Sequence, residues 1–327
     1  QLPEQHNNDS LTREELLRDL LAEAGLREVV GYRLTTPEAE ARLFVEGIKG
    51  GNNRPADTSD YVTLANPISA DKVVMRHTLL NGLLEDIAAN LRHHPRQKLF
   101  EIGPVFFRTN ATLPLETTKL GIALTGSRSV SGWDEAPSSA RLDFFDLKGV
   151  LETLSVGLRI GSLRYSPTTH PAFHPGRCAS ILLNNRTVGV MGELHPLVRR
   201  AYDLDQSVVA AELVFDELIR DIPLTDKIAP ILTQPAVYED IALIVPENTP
   251  AGDLEAAIRK AGGELLRDVR LFDVYRGESI PDGKKSLAYA LTYQAEDHTL
   301  TDKEAAKVRQ QIVKATERQF GAVLRAK

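Results

Sequence analysis

Apolar positions recur along this chain with two different periods, and the changes of period lay out its elements. Leu16, Leu17, Leu20 and Leu21 fall at helical spacing, which predicts an amphipathic helix over Leu11 to Gly25, capped by Ser10 or Thr12 and ended by Gly25. An extended segment, Glu28 to Leu34, follows. A polar, Gly/Asn-rich loop is expected from Gly50 to Ser59, then a strand at Tyr61 to Leu64, a turn at Asn66-Pro67 and a second helix over Met75 to Leu91. Strands are expected at Phe100 to Phe107 and Lys119 to Leu124. The stretch Gly126 to Ala140, which holds Trp133, reads as a loop before a helix at Leu147 to Leu158. Strand patterns return at Ser180 to Leu183 and Thr187 to Met191, joined by Asn184-Asn185, and at Val208 to Leu213, with a short helix at Pro196 to Ala201 between them. Strands joined by both hairpins and helices imply an α+β unit on an antiparallel sheet.

From Asp216 to Gln234 the period is lost and Pro223 and Pro230 collect, as at a domain boundary. Residues 1–216 are therefore expected as one domain, 217–233 as a linker and 234–327 as a second domain. In the second, a strand at Val237 to Val245 precedes a helix opened by Thr249 as cap and Pro250 in the first turn. Arg267 to Tyr275 and Lys285 to Gln294 form an expected hairpin. The capping box Thr301-Asp302-Lys303-Glu304 opens a helix to Phe320, and Ala322 to Arg325 is a last strand. That order, β-α-β-β-α-β, is the ferredoxin-like split motif.

Alternation gives the strands of this domain two faces. Ile241, Leu243, Val245, Phe272, Val274, Leu287, Tyr289, Leu291 and Tyr293 are bulky enough to pack under the two helices. The opposite set, Asp240, Ala242, Asp273, Tyr275, Ser286, Ala288 and Ala290, is small or polar with one ring, Tyr275. Such a face suits unstacked bases, which lie on a ring while polar groups reach their edges. It equally suits a face turned to water or covered by another element.

Composition narrows the mode of binding rather than deciding it. The 327 residues are 42% hydrophobic and 26% charged, with a net charge of −6 and pI near 5.8, which argues against a protein that grips nucleic acid mainly by a broad basic surface. Residues 234–327 carry 14 Lys plus Arg against 15 Asp plus Glu. The one cysteine, Cys178, excludes an internal disulfide and a thiolate zinc cluster and suits a reducing cytoplasm. No run is long and apolar enough for a membrane span or a signal peptide, and the start without methionine fits an excised piece of a longer protein. His170, His174 and Cys178 recur every four residues, but Pro171 and Pro175 oppose the helix that would align them as ligands. Glu85-Asp86 and Asp302 with Glu304 read as solvated helix faces and capping, and no Gly-rich stretch ends in Lys-Ser or Lys-Thr.

The stretches Pro235 to Ala242, Leu271-Phe272-Asp273-Val274-Tyr275, Lys285-Ser286-Leu287-Ala288 and Thr299 to Glu304 resemble, in order and spacing, the anticodon-binding ferredoxin-fold domain that closes the beta subunit of bacterial phenylalanyl-tRNA synthetase. The resemblance implies that Tyr275 stacks on an anticodon base, that Asp273, Ser286 and Ala242 contact base edges, and that Asp240 shapes the site. Two positions depart from the family, Glu239 and His298 standing where arginine is common. The resemblance extends upstream through Gly25 to Val29, Asn66 to Ser69, Met75 to Leu80, Phe100 to Gly103, Phe144 to Gly149 and Gly192 to Pro196, which are similar to the catalytic-like module of the same subunit, a relative of the class II synthetase core. It implies a scaffold for a catalytic alpha subunit in an (αβ)₂ assembly that binds phenylalanine tRNA. ATP and magnesium would serve the holoenzyme, with no cofactor in this part.

A class II site needs an arginine at the end of the strand Phe-Glu-Ile-Gly-x-Val-Phe to hold the ATP α-phosphate. Phe107 stands there, Arg108 comes one residue later, and no Gly-x-Gly-x-Arg stretch supplies the second arginine. The module is therefore expected to be inert. The stripe Leu79, Leu80, Leu83, Leu84, Ile87 and Leu91 fits the module's own core, while the resemblance adds that helices of this module meet the alpha subunit. The competing readings are a self-sufficient class II ligase and a synthetase-like regulatory partner without RNA binding.

Overall fold

Asn8, not Ser10 or Thr12, caps the first helix, α1 (Asp9–Glu23), its side chain accepting from Leu11 N–H. The computed structural model describes residues 8–44, 58–129, 133, 140–223 and 232–325; most of the expected loops at Gly50 to Ser59 and Gly126 to Ala140 lies outside them. The chain divides into two units, Gln1–Thr225 and Asp226–Lys327.

In the first unit the elements after α1 are β1 (Arg27–Glu28), β2 (Leu34–Thr35), α2 (Pro37–Ala41), β3 (Val74–Met75), α3 (Leu80–Asn90), β4 (Gln97–Phe107), β5 (Leu115–Thr125), α4 (Phe144–Leu158), β6 (Arg164–Pro167), β7 (Phe173–Leu183), β8 (Arg186–Leu194), α5 (Pro196–Ala201), β9 (Val208–Val214) and α6 (Phe215–Ile219). The sheet runs β1-β4-β5-β9-β8-β7-β6, antiparallel except where β1 joins β4. Asn184 and Asn185 turn the β7–β8 hairpin with φ of 49° and 64°, the left-handed conformation that a two-residue turn needs and that Asn tolerates.

Alternation along the strands feeds two apolar cores. Leu120, Ile122 and Leu124 of β5 with Val209, Ala211 and Leu213 of β9 pack under α1 and α4, while Ala123 and Ala210 face α3 and α5. The α3 side is lined by small residues because the helix lies close: a Cβ on Gly121 would stand 2.8 Å from Leu83 Cδ1. Leu79, Leu80, Leu83, Leu84 and Ile87 are buried there, so the apolar stripe packs into the module's own core, as its spacing implies.

Two sequence expectations fail here for long-range reasons. The helix expected from Met75 starts at Leu80, because Val74 and Met75 pair with Thr35 and Leu34 and are held extended. The aperiodic stretch after Asp216 opens with α6, whose Leu218 and Ile219, with Ile222 beyond it, are buried in the first core.

Two buried ionic clusters stand out in the first unit, although Glu101 Oε2 accepts no hydrogen bond among the described residues. Arg76 Nη1 meets Glu101 Oε1 at 2.7 Å with both side chains at 5% exposure or less, Arg76 Nε donates to Pro104 O at 3.0 Å, and Gly31 N–H donates to Glu101. A Cβ on Gly103 would lie 2.5 Å from Arg76 Nη2, so a larger residue there would force this guanidinium to shift. Helix α3 has no side-chain cap of its own. Glu212 of β9 takes that role, accepting from Thr78 Oγ1 and Leu79 N–H while Lys119 holds its other oxygen at 2.6 Å.

The second unit contains β10 (Val237–Pro246), α7 (Ala251–Gly262), β11 (Leu266–Tyr275), β12 (Lys284–Tyr293), α8 (Asp302–Phe320) and β13 (Val323–Leu324), with sheet order β11-β12-β10-β13, all antiparallel. This is the α+β ferredoxin-like arrangement the element order predicts. The Thr301/Glu304 capping box opens α8 as expected. Helix α7 begins one residue late, with Pro250 as a cap lacking any side-chain bond, because Thr249 N–H turns back to Pro246 O. Ile241, Leu243, Val245, Leu287, Tyr289, Leu291 and Tyr293 are buried with residues of α7 and α8, as alternation predicts.

Candidate nucleic-acid interface on the open sheet face

Pairing of the three longer strands arranges the helix-free face of the second unit in rows. Asp268, Thr292 and Tyr238 form the first; Arg270, Ala290 and Asp240 the second; Asp273, Ala288 and Ala242 the third; Tyr275, Ser286 and Ile244 the fourth. Partners opposite one another share a face, so all five residues singled out in the sequence, Asp240, Ala242, Asp273, Tyr275 and Ser286, come together there. Their accessibility differs. Asp240 and Asp273 are exposed, Ala242 is half-buried and Tyr275 is 38% exposed. Ser286, at 2%, is closed off from solvent between Tyr275 and Ile244.

A β-bulge alters what the sequence alternation assigned to β11. Leu271 opposes Tyr289 and Asp273 opposes Ala288, leaving Phe272 as the extra residue between them. Phe272, expected beneath the helices, is instead 52% exposed and lines a groove with Asp240, Ala242 and Ala288. Val274 keeps the core side by register but is 42% exposed on the edge strand. The same register shift puts Leu271 against the core and Arg270 on the open face. Tyr238, 76% exposed, is a third ring on that face. Tyr238 follows the period of Asp240 and Ala242 and was legible; Arg270 and Phe272 were not, because a bulge arises from pairing with β12 and leaves no mark in β11 itself.

The groove, about 820 Å³, continues over the free edge of β10 to Arg309, Gln310, Val313 and Lys314 of α8 and to Arg325 after β13. The Arg325 guanidinium lies over the Tyr275 ring, 5.1 Å from its centre, and Nη2 donates to Ser279 Oγ at 3.1 Å. Glu239 points the other way and pairs with Arg309 of α8 at 3.3 Å. His298 is held between Asp297 at 2.8 Å and Glu304 at 3.3 Å, and hydrogen bonds to these carboxylates raise its pKa.

In the first unit, the strand that would end at an ATP-binding arginine stops at Phe107. That ring stacks on His77 at 5.0 Å, and His77 on Tyr61 at 3.9 Å with planes 3° apart. Arg108 turns away and donates to Ser59 O at 3.1 Å. Below the stack, buried Glu40 accepts from Tyr61 OH and from His77 N–H, each at 2.9 Å, and burial pushes its pKa up to about 7. The cation over the Phe107 ring is Lys119, whose Nζ lies 5.7 Å from the ring centre and is paired with Glu212 at 2.6 Å.

His170 and His174 serve as turn acceptors, their Nδ1 atoms receiving Ala172 and Gly176 N–H, and burial pushes the Cys178 thiol up to about 11. Among the described residues no group of three or more His, Cys, Asp or Glu is placed to hold a metal ion, and no helix is long and apolar enough to cross a membrane.

Comparison with known proteins covers both units. Residues 1–215 match the family described as the phenylalanyl tRNA synthetase beta chain CLM domain, and residues 233–325 the ferredoxin-fold anticodon binding domain. A phenylalanine–tRNA ligase beta subunit of Geobacillus kaustophilus is 38% identical over 312 residues, covering 94% of this chain and 37% of the relative. One of Vibrio cholerae is 37% identical over 326 residues, 98% of this chain and 39% of the relative. The chain thus spans somewhat over a third of the length of these relatives. The crystal structure of pyrrolysyl-tRNA synthetase from Desulfitobacterium hafniense matches with a TM-score of 0.49 and 16% identity, over 64% of this chain and 68% of that one.

Proposed function

Because the chain belongs to the phenylalanyl-tRNA synthetase beta-chain family, we propose that it is part of a non-catalytic subunit of phenylalanine–tRNA ligase, working in the cytoplasm, whose second unit binds the anticodon of phenylalanine tRNA. The observation that carries this reading is the open face: two exposed carboxylates, three alanines and the Tyr275 ring brought into register on β10, β11 and β12. Ionised carboxylates only accept hydrogen bonds, so Asp240 and Asp273 select base edges that present N–H donors. Small side chains at Ala242, Ala288 and Ala290 let a base approach the sheet, and Tyr275 supplies the stacking surface. Ser286 reaches a base edge once the groups around it move aside.

The first unit acts as a scaffold for a catalytic alpha subunit in an (αβ)₂ assembly. Phe107 and its aromatic stack occupy the place of the phosphate-binding arginine, so adenylate chemistry, with its ATP and magnesium, belongs to that partner. The test is an ATP–pyrophosphate exchange assay with phenylalanine. The purified chain is expected to give none alone and the native assembly to give full exchange. Exchange by the chain alone would restore the self-sufficient ligase reading, and failure to co-purify with a catalytic subunit would remove the scaffold role.

A further inference from the structure

We infer that Phe272 is a second base-stacking ring of the open face, so that two unstacked nucleotides are held on separate rings, one on Phe272 and one on Tyr275. This rests on reading that face as the anticodon site. A single exposed apolar side chain is ordinary on a protein surface and by itself means nothing. Phe272 differs in how it comes to be exposed and in what surrounds it.

Bulges re-aim a side chain at a defined place, and this one inserts Phe272 between Leu271, packed toward the core, and Asp273, on the open face. The ring lines the groove beside Ala288 and Ala242, whose methyl groups leave the space above them free, and beside the Asp240 carboxylate. An aromatic platform, small neighbours and an edge-reading acceptor therefore lie within one groove. At roughly 3.3 Å per residue, Phe272 and Tyr275 are about 10 Å apart along β11, too far for one base to cover both. Cations are also at hand: Arg325 and Lys314 line the groove, and Arg325 rests on Tyr275 where it is placed to turn to a phosphate. A four-stranded sheet whose aromatic side chains stack two or three bases is an established way to hold single-stranded RNA, and here both rings lie on the edge strand β11.

The experiment uses the full-length subunit in its native assembly and phenylalanine tRNA carrying 2-aminopurine at each anticodon position in turn, whose fluorescence is quenched by stacking. Phe272→Ala is expected to weaken tRNA binding roughly 5-fold to 150-fold, the range for loss of one base–ring stack, and to relieve quenching at one position. Tyr275→Ala should relieve it at a different position, and Phe272→Tyr should retain both affinity and quenching. Because Phe272 is half-exposed, an unchanged thermal melt is expected for each variant. If Tyr275→Ala acts while Phe272→Ala leaves affinity and quenching as in the wild type, or if both relieve the same position, the second platform is refuted and the anticodon reading survives. If neither variant changes anything, the anticodon reading falls and this inference with it.

Discussion

Replacing Glu101 by Gln would leave the Arg76 guanidinium facing a neutral amide in a site where both side chains are at 5% exposure or less. Burying a charge whose partner has been removed costs about 3–5 kcal/mol. Arg76 retains its bond to Pro104 O at 3.0 Å, and a Gln oxygen still accepts from Gly31 N–H, so the lower end, about 3 kcal/mol, is expected for Glu101→Gln. Arg76→Met strands the carboxylate instead and should fall in the same range. The double variant, Arg76→Met with Glu101→Gln, removes both charges together and should lose much less than the sum of the two single variants, giving a coupling of at least about 2 kcal/mol. Urea unfolding followed by far-UV circular dichroism measures this, since the sole tryptophan, Trp133, is 99% exposed and a poor reporter of the core. Only the transition of the first unit should move. A coupling below about 0.5 kcal/mol would show that the pair contributes no more than a surface bridge and would refute the reasoning.

The pH response of the first unit should carry the mark of Glu40. Its pKa is raised by burial from 4.5 to about 7, so the folded state holds a proton that the unfolded state releases, and stability falls as pH rises from about 4.5 to 7. The loss approaches about 3 kcal/mol above pH 7; Glu40→Gln should flatten that slope in unfolding curves taken at pH 5, 6, 7 and 8, and an unchanged slope would contradict the assignment. The salt dependence of tRNA binding should respond to the groove's few cations, with Lys314→Ala lowering the slope of log affinity against log salt by about 0.7, the value for one phosphate contact on a single strand. An unchanged slope would place Lys314 away from the RNA.

What could be read from the sequence was what is encoded locally. The order of elements in the second unit, the Thr301/Glu304 box and the Asn184-Asn185 turn each depend on a few neighbouring residues, and the structure shows them where they were expected. The small-residue face depends on strand parity, which holds along β10 and β12 and fails on β11 at Phe272. Parity is set by pairing, and no residue near Leu271 or Phe272 announces the bulge. Burial was similarly hidden: Ser286 reads as a polar group facing solvent, whereas its neighbours across the sheet enclose it. In the first unit the helix at Leu80 starts late because Leu34 and Thr35, far upstream, claim Met75 and Val74 as a strand, and periodicity within the segment cannot express that.

The central claim, that the open face of the second unit holds the anticodon, is tested most directly at Tyr275. Equilibrium binding of phenylalanine tRNA to the native assembly should weaken by about 1–3 kcal/mol on Tyr275→Ala, the worth of one base stacked on a ring. An affinity equal to that of the wild type, with the fold of the second unit intact, would contradict it.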